Sequence, residues 1–127
     1  MNFIVFPGQG SQKIGMGKEL SDNFTEAKHV FEEVNDSLNF NLTKVMWEGT
    51  DKEISLTSNA QPALMACSIA TLRVLNKITN KKLPDLASYV CGHSLGEYTA
   101  MTAAEVFSLN QCAILLRLRG NAMQEAV

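Results

Sequence analysis

The sequence predicts an α/β chain: part of a mostly parallel sheet with flanking helices. Three observations carry this reading. The chain opens on a continuously apolar run, Phe3-Ile4-Val5-Phe6, stopped by Pro7-Gly8, the pattern of a short strand buried on both faces. A second short apolar run, Tyr89-Val90-Cys91, leads directly into Gly92-His93-Ser94-Leu95-Gly96 and then into the helix-forming stretch Glu97 to Ala104. Strands alternating with helical segments point to a parallel sheet. Two recognisable strands are few for such a sheet, so further strands are expected to belong to a longer protein.

The elements follow in order. After the first strand comes the loop Pro7-Gly8-Gln9-Gly10-Ser11-Gln12. Phe24, Ala27, Phe31, Val34 and Leu38 recur at three and four residues, one stripe of a helix, with Asp22 or Ser21 as its expected cap. Asn39-Phe40-Asn41 ends that helix, and Leu42 to Trp47 reads as a short further helix stopped by Gly49. Ser58 or Asn59 is expected to cap a long helix reaching to about Ile78, with Pro62 in its first turn. Leu64, Met65, Cys67, Ile69, Leu72, Val74, Leu75 and Ile78 wrap most of its circumference, so it is expected to be largely buried. Lys81-Lys82-Leu83-Pro84-Asp85 is a polar connector into the second strand. Ser108 opens a last helix, with Gln111 completing a capping box.

Composition narrows the class. The chain has 127 residues, 46% apolar and 19% charged, with a net charge of −2. That is enough for one compact domain with a core and too little for two. Scattered charges of both signs leave no electrostatic footprint for nucleic acid or an anionic membrane. No stretch approaches the roughly 18 apolar residues of a membrane span, and the first residues lack the basic n-region of a signal peptide. Cys67, Cys91 and Cys112 are odd in number and each sits in apolar company. This predicts reduced, buried thiols in a cytoplasmic protein.

A Gly-x-Ser-x-Gly turn between strand and helix is a nucleophile elbow, which lifts a serine hydroxyl clear of the sheet. Ser94 is the predicted nucleophile; a structural turn serine is the alternative. An attacked acyl carbonyl develops an oxyanion that needs donors. One is the backbone N–H of the following residue, Leu95, and the other comes from a loop after an early strand. Gly8-Gln9-Gly10 fits that role, its glycines letting the Gln9 backbone approach a ligand. As a phosphate cradle the loop fails, because Lys13 stands where a third glycine belongs.

In the last helix Arg117, Asn121, Gln124 and Glu125 share a polar arc, so Arg117 reads as solvated. Cys112, Leu115, Leu116, Ala122, Met123 and Ala126 lie opposite, and Arg119 projects from the middle of that apolar side. A buried guanidinium needs an anionic or hydrogen-bonding partner. It is therefore either half of a structural ion pair or a seat for a substrate carboxylate. Neither histidine reads as a base. His29 falls off the apolar stripe of its helix, and His93 adjoins Ser94 on a turn that points neighbours apart. No histidine follows Ser94, where elbow enzymes place theirs.

Four motifs in order, Phe6-Pro7-Gly8-Gln9-Gly10-Ser11-Gln12, Ala60-Gln61-Pro62-Ala63-Leu64, Gly92 through Tyr98, and Arg119-Gly120 with Met123 through Val127, closely resemble malonyl-CoA:acyl carrier protein transacylases. The resemblance runs the length of the chain. It implies ping-pong transfer of malonyl from coenzyme A to the phosphopantetheine thiol of acyl carrier protein in bacterial fatty acid biosynthesis. Ser94 would be the nucleophile, Gln9 and Leu95 the oxyanion-hole amides, and Arg119 the carboxylate clamp. Gln61 and His93 are substrate-binding candidates, Gln61 with a plain polar role in its helix as the alternative. No metal or organic cofactor is implied, since the thioester carries its own driving force.

The resemblance also implies an α/β-hydrolase-like subdomain interrupted by a small ferredoxin-like one. Family members are longer, so residues 1–127 are expected to be the N-terminal part of the hydrolase-like subdomain. The small subdomain, the catalytic histidine and the rest of the sheet would lie outside them, and the surfaces so exposed invite self-association. A serine hydrolase transferring to water, and a non-catalytic fragment binding only carrier protein or coenzyme A, are the competing readings.

Overall fold

The computed structural model describes residues 1–127. Strand β1 (Phe3–Phe6) is followed by α1 (Lys18–Asn23), α2 (Thr25–Leu38), α3 (Leu42–Glu48), α4 (Asp51–Ser55) and α5 (Thr57–Thr79). Then come the single turn α6 (Leu83–Leu86), β2 (Tyr89–Gly92), α7 (Leu95–Ala103) and α8 (Leu109–Glu125). The strands pair in parallel, Phe3 with Tyr89 through Phe6 with Gly92. Their C-terminal ends therefore emerge together, where parallel sheets place their ligands.

The core is helical. α5 runs through it, flanked by α2 and α8. Ala27, Val30, Phe31 and Val34 of α2 and Cys112, Ala113 and Leu116 of α8 pack with Leu64, Met65, Ile69 and Val74 of α5. No helix is long and apolar enough to cross a membrane.

Several boundaries depart from the sequence reading. Ser21 and Asp22 fall inside α1, and α2 starts after an extended Phe24 that makes no side-chain cap. Asn39 does end α2, in the left-handed region at φ 47°, which asparagine tolerates. α5 begins at Thr57, before the expected caps, so Pro62 lies beyond its first turn. The Ser108–Gln111 capping box forms as expected.

The larger correction concerns the sheet. β1 is not covered on both faces: Phe3 and Val5 are 59% and 66% exposed, whereas Phe6 is buried. Phe3 stacks on Tyr89 across the strands at 5.3 Å, and Cys91 is exposed on the second strand. Side chains alternate across a sheet, so one face turns to α5 while these residues form an uncovered apolar face. α5 likewise leaves the core at its far end, where Leu75 and Ile78 are exposed.

The three thiols consequently divide. Burial pushes the Cys67 thiol up to about 12. Burial also raises that of Cys112, more than a hydrogen bond from the Thr102 side chain lowers it. The thiolate is the reactive form, so at pH 8 a water-soluble thiol reagent should modify exposed Cys91 fastest, half-buried Cys67 more slowly and buried Cys112 only on unfolding. Three equal rates in a timed labelling of native protein would contradict this packing. Sign follows too: an unfolded Cys67 loses its proton first, so its contribution to stability falls as pH rises from about 9 towards 12.

Candidate active site

Ser94 sits at φ 58°, ψ −116° as the residue preceding α7. A non-glycine side chain at positive φ is strained by about 1–3 kcal/mol and persists only where its surroundings impose it. Two glycines make the turn possible. A Cβ on Gly92 would lie 2.0 Å from the Gly96 carbonyl carbon and oxygen, and one on Gly96 would lie 2.3 Å from the Phe6 carbonyl oxygen. The first turn of α7 thus crosses directly over both strand ends. His93 N–H donates to the Phe6 carbonyl at 3.2 Å, and the His93 and Ser94 carbonyls accept from Gly96 and Glu97. This fixes the serine on a short, rigid bend.

The loop after β1 lies against that bend: the same construction at Gly8 places a Cβ 2.8 Å from both the His93 carbonyl oxygen and Nδ1. Gln9 ties the loop to the α4–α5 junction, its Nε2 donating to Thr57 Oγ1 at 3.3 Å and to the Ser55 carbonyl at 3.5 Å. The backbone N–H groups of Gln9 and Leu95 make no hydrogen bond within the protein. That of Leu95 opens α7, where unpaired amides and the helix dipole favour negative charge.

Arg119 reaches this place from α8. Its Nη2 donates to Ser94 Oγ at 3.0 Å and its Nη1 to Gln61 Oε1 at 2.8 Å. The guanidinium lies over the Tyr98 ring, 5.4 Å from its centroid. Within residues 1–127 Arg119 has no carboxylate partner; the salt bridges there are Lys18–Asp22 and Lys28–Glu32, both on the surface. Gln61 is fully buried, and its Nε2 donates to Met123 Sδ at 3.2 Å. Ser94, Gln61 and Arg119 thus meet directly. His93 does not join them; its side chain is exposed and makes no hydrogen bond to Ser94. His29 is on the surface. Ser94 Oγ bonds to Arg119 alone.

Arg117 is the residue that periodicity misplaced. It is half-buried, its guanidinium lying 4.8 Å from the Phe40 ring centroid. Nη1 donates to the Ser58 carbonyl at 2.7 Å and to Asn59 Oδ1 at 2.8 Å. The cause is Pro62. With no N–H of its own, it leaves unpaired the Ser58 carbonyl four residues earlier, and Arg117 supplies the missing donor. Burial draws the Arg117 guanidinium below its usual value. Gln124, expected on the same polar arc, accepts from the Ser58 N–H and hydroxyl.

The buried stripe of α8 is Leu109, Cys112, Ala113, Leu116 and Gly120. It is narrower than predicted, leaving Leu115, Ala122, Met123 and Ala126 exposed. Gly120 lets the helices touch, since its added Cβ would lie 2.7 Å from Ser58 Cα. Tyr98 and Met123 are further residues of the site that spacing did not single out. Only the i, i+4 relation of Tyr98 to Ser94, and of Met123 to Arg119, was available as a signal.

Comparison with known proteins gives the family. Residues 3–127 match the acyl transferase domain family. The chain is 46% identical over 125 residues to the malonyl CoA-acyl carrier protein transacylase of Bacillus subtilis strain 168, covering 98% of this chain and 38% of that protein. It is 39% identical to the protein of the same name from Haemophilus influenzae, again over 98% of this chain and 39% of the relative. The crystal structure of acyl-carrier-protein-S-malonyltransferase from Bartonella henselae superposes with a TM-score of 0.96 at 52% identity, covering all of this chain and 40% of that one. A malonyl-transacylase solved in complex with its type II polyketide acyl-carrier protein gives 0.89 at 41% identity, with the same coverage. The chain spans about two fifths of the length of these relatives, and it belongs to the acyl transferase domain family.

Proposed function

We propose that this chain carries the nucleophile, oxyanion hole and carboxylate seat of a malonyl-transferring enzyme. Ser94 Oγ attacks the malonyl thioester carbonyl of malonyl-CoA, its proton passing through the histidine that the resemblance places outside residues 1–127 to the departing thiolate, and the tetrahedral oxyanion is held by the N–H groups of Leu95 and Gln9. Collapse expels the coenzyme A thiol and leaves malonyl esterified to Ser94. The phosphopantetheine thiol of an acyl carrier protein then attacks that ester. No metal or organic cofactor takes part in these steps. The observation that carries the reading is the Arg119 guanidinium, 3.0 Å from Ser94 Oγ and without a carboxylate partner within residues 1–127. A malonyl group carries its carboxylate one methylene from the acyl carbon, so one serine and one adjacent arginine suit its two ends. Gln61 orients the arginine, and His93 lines the loop side of the elbow.

The relatives' names support the substrate and the carrier protein, in fatty acid or polyketide synthesis. The elbow after a parallel strand supports a hydrolase-like sheet, with residues 1–127 as its N-terminal part, and the free thiols Cys67, Cys91 and Cys112 support a cytoplasmic setting. The uncovered face of Phe3, Val5, Tyr89 and Cys91 supports self-association of the isolated chain.

In a protein that joins residues 1–127 to the expected catalytic histidine, incubation with malonyl-CoA should add the mass of one malonyl group, and Ser94→Ala should remove that gain entirely. A folded protein of that length that gains no mass, or gains it equally with alanine at 94, would refute Ser94 as the acyl carrier. Release of the label to carrier protein rather than to water separates transferase from hydrolase.

A further inference from the structure

The two acceptors of Arg119, Gln61 Oε1 and Ser94 Oγ, are both neutral, and they differ in how firmly they are held. Gln61 is fully buried and fixed at its other end by Met123. Ser94 stands on the elbow at the sheet's C-terminal end, and within residues 1–127 its side chain bonds to nothing else. An arginine–carboxylate pair is charge-assisted and roughly twice as strong as a hydrogen bond between neutral groups. The contact with Ser94 is the one an incoming anion displaces most easily.

Resting on the site reading above, we propose that the Arg119–Ser94 hydrogen bond is a resting contact released by the substrate's own carboxylate. Nη1 stays on Gln61 while Nη2 turns from Ser94 Oγ to the carboxylate. This frees an oxygen lone pair on Ser94 at the moment the acyl carbon is placed beside it. Gln61 is then a positioning residue, the pivot of the movement. An acyl group without a carboxylate leaves the guanidinium on the serine. Selectivity is exerted on the nucleophile as well as on the ligand.

Acetate is a suitable probe, because it fills a carboxylate seat and has no acyl end to touch Ser94. Its dissociation constant for the 127-residue chain would be followed through the backbone amide signals of residues 94–98 by NMR. Ser94→Ala removes the competing acceptor and should tighten acetate binding about fivefold, the effect of one hydrogen bond. Ser94→Cys, which keeps the side chain's size but accepts weakly, should act in the same direction and covers a failure of the alanine variant to fold. Unchanged or weaker binding in the folded variants would overturn the gating while leaving the seat in place. Acetate binding indifferent to Arg119→Ala would instead remove the carboxylate seat itself, and with it the malonyl reading.

Discussion

Gly92→Ala should destabilise the chain by about 4 kcal/mol or more, among the largest effects of a single added methyl. The new Cβ would be 2.0 Å from the Gly96 carbonyl carbon and oxygen and 2.6 Å from Glu97 N. These are backbone atoms of the first turn of α7, so no flexible side chain can yield. Either the helix lifts from the strand ends or the turn unwinds, and both carry Leu95 away from the Gly8–Gly10 loop. A domain of this size has about 5–15 kcal/mol in total, so much of its stability is at stake. Gly10→Ala is the control: at φ 119° it meets nothing within 4 Å, and should cost only the backbone strain, about 1–3 kcal/mol. Urea unfolding of the two variants decides. Equal losses would mean that the elbow tolerates a wider path than the structure shows.

Arg119→Ala should lower the rate of Ser94 acylation from malonyl-CoA about a hundredfold relative to acylation from acetyl-CoA. A bidentate guanidinium–carboxylate contact comprises two charge-assisted hydrogen bonds, together about 3 kcal/mol at the low end, and each 1.4 kcal/mol is tenfold. The acetyl reaction should be preserved or faster, because the variant also removes the donor on Ser94 Oγ. Arg119→Lys should recover little, since an ammonium has no planar fork to span both Gln61 and a carboxylate. Competition between the two thioesters, read as the ratio of adduct masses, measures this directly. An unchanged ratio would show that the carboxylate is recognised elsewhere.

The features legible in advance are local ones. The elbow is defined within five residues, and its backbone demands are those of a turn that places serine at positive φ. The Ser108 capping box spans four residues, and the buried stripe of α2 repeats every three or four. Each depends on neighbours along the chain, so sequence spacing reports it directly. Arg119 was singled out by the same logic, as a charge on an apolar arc. Its partners were not, because Gln61 and Ser94 lie 58 and 25 residues away. The solvated reading of Arg117 failed for a related reason. Its environment is set by Pro62 of another helix, whose missing N–H leaves the Ser58 carbonyl to be satisfied from α8.

The strand–elbow–helix unit, the oxyanion-hole candidates, the long central helix and the resemblance to acyl transferases can all be read along the chain. All of these rest on short-range backbone preferences and ordered motifs. Which face of each strand is covered, why α8 approaches α5 at Gly120, and the hydrogen-bonded group of Ser94, Arg119 and Gln61 emerge from the packing alone. Those outcomes depend on how elements far apart in the chain cross and pack. A side chain's partner across such a crossing is fixed by the fit of two surfaces, which no single segment encodes.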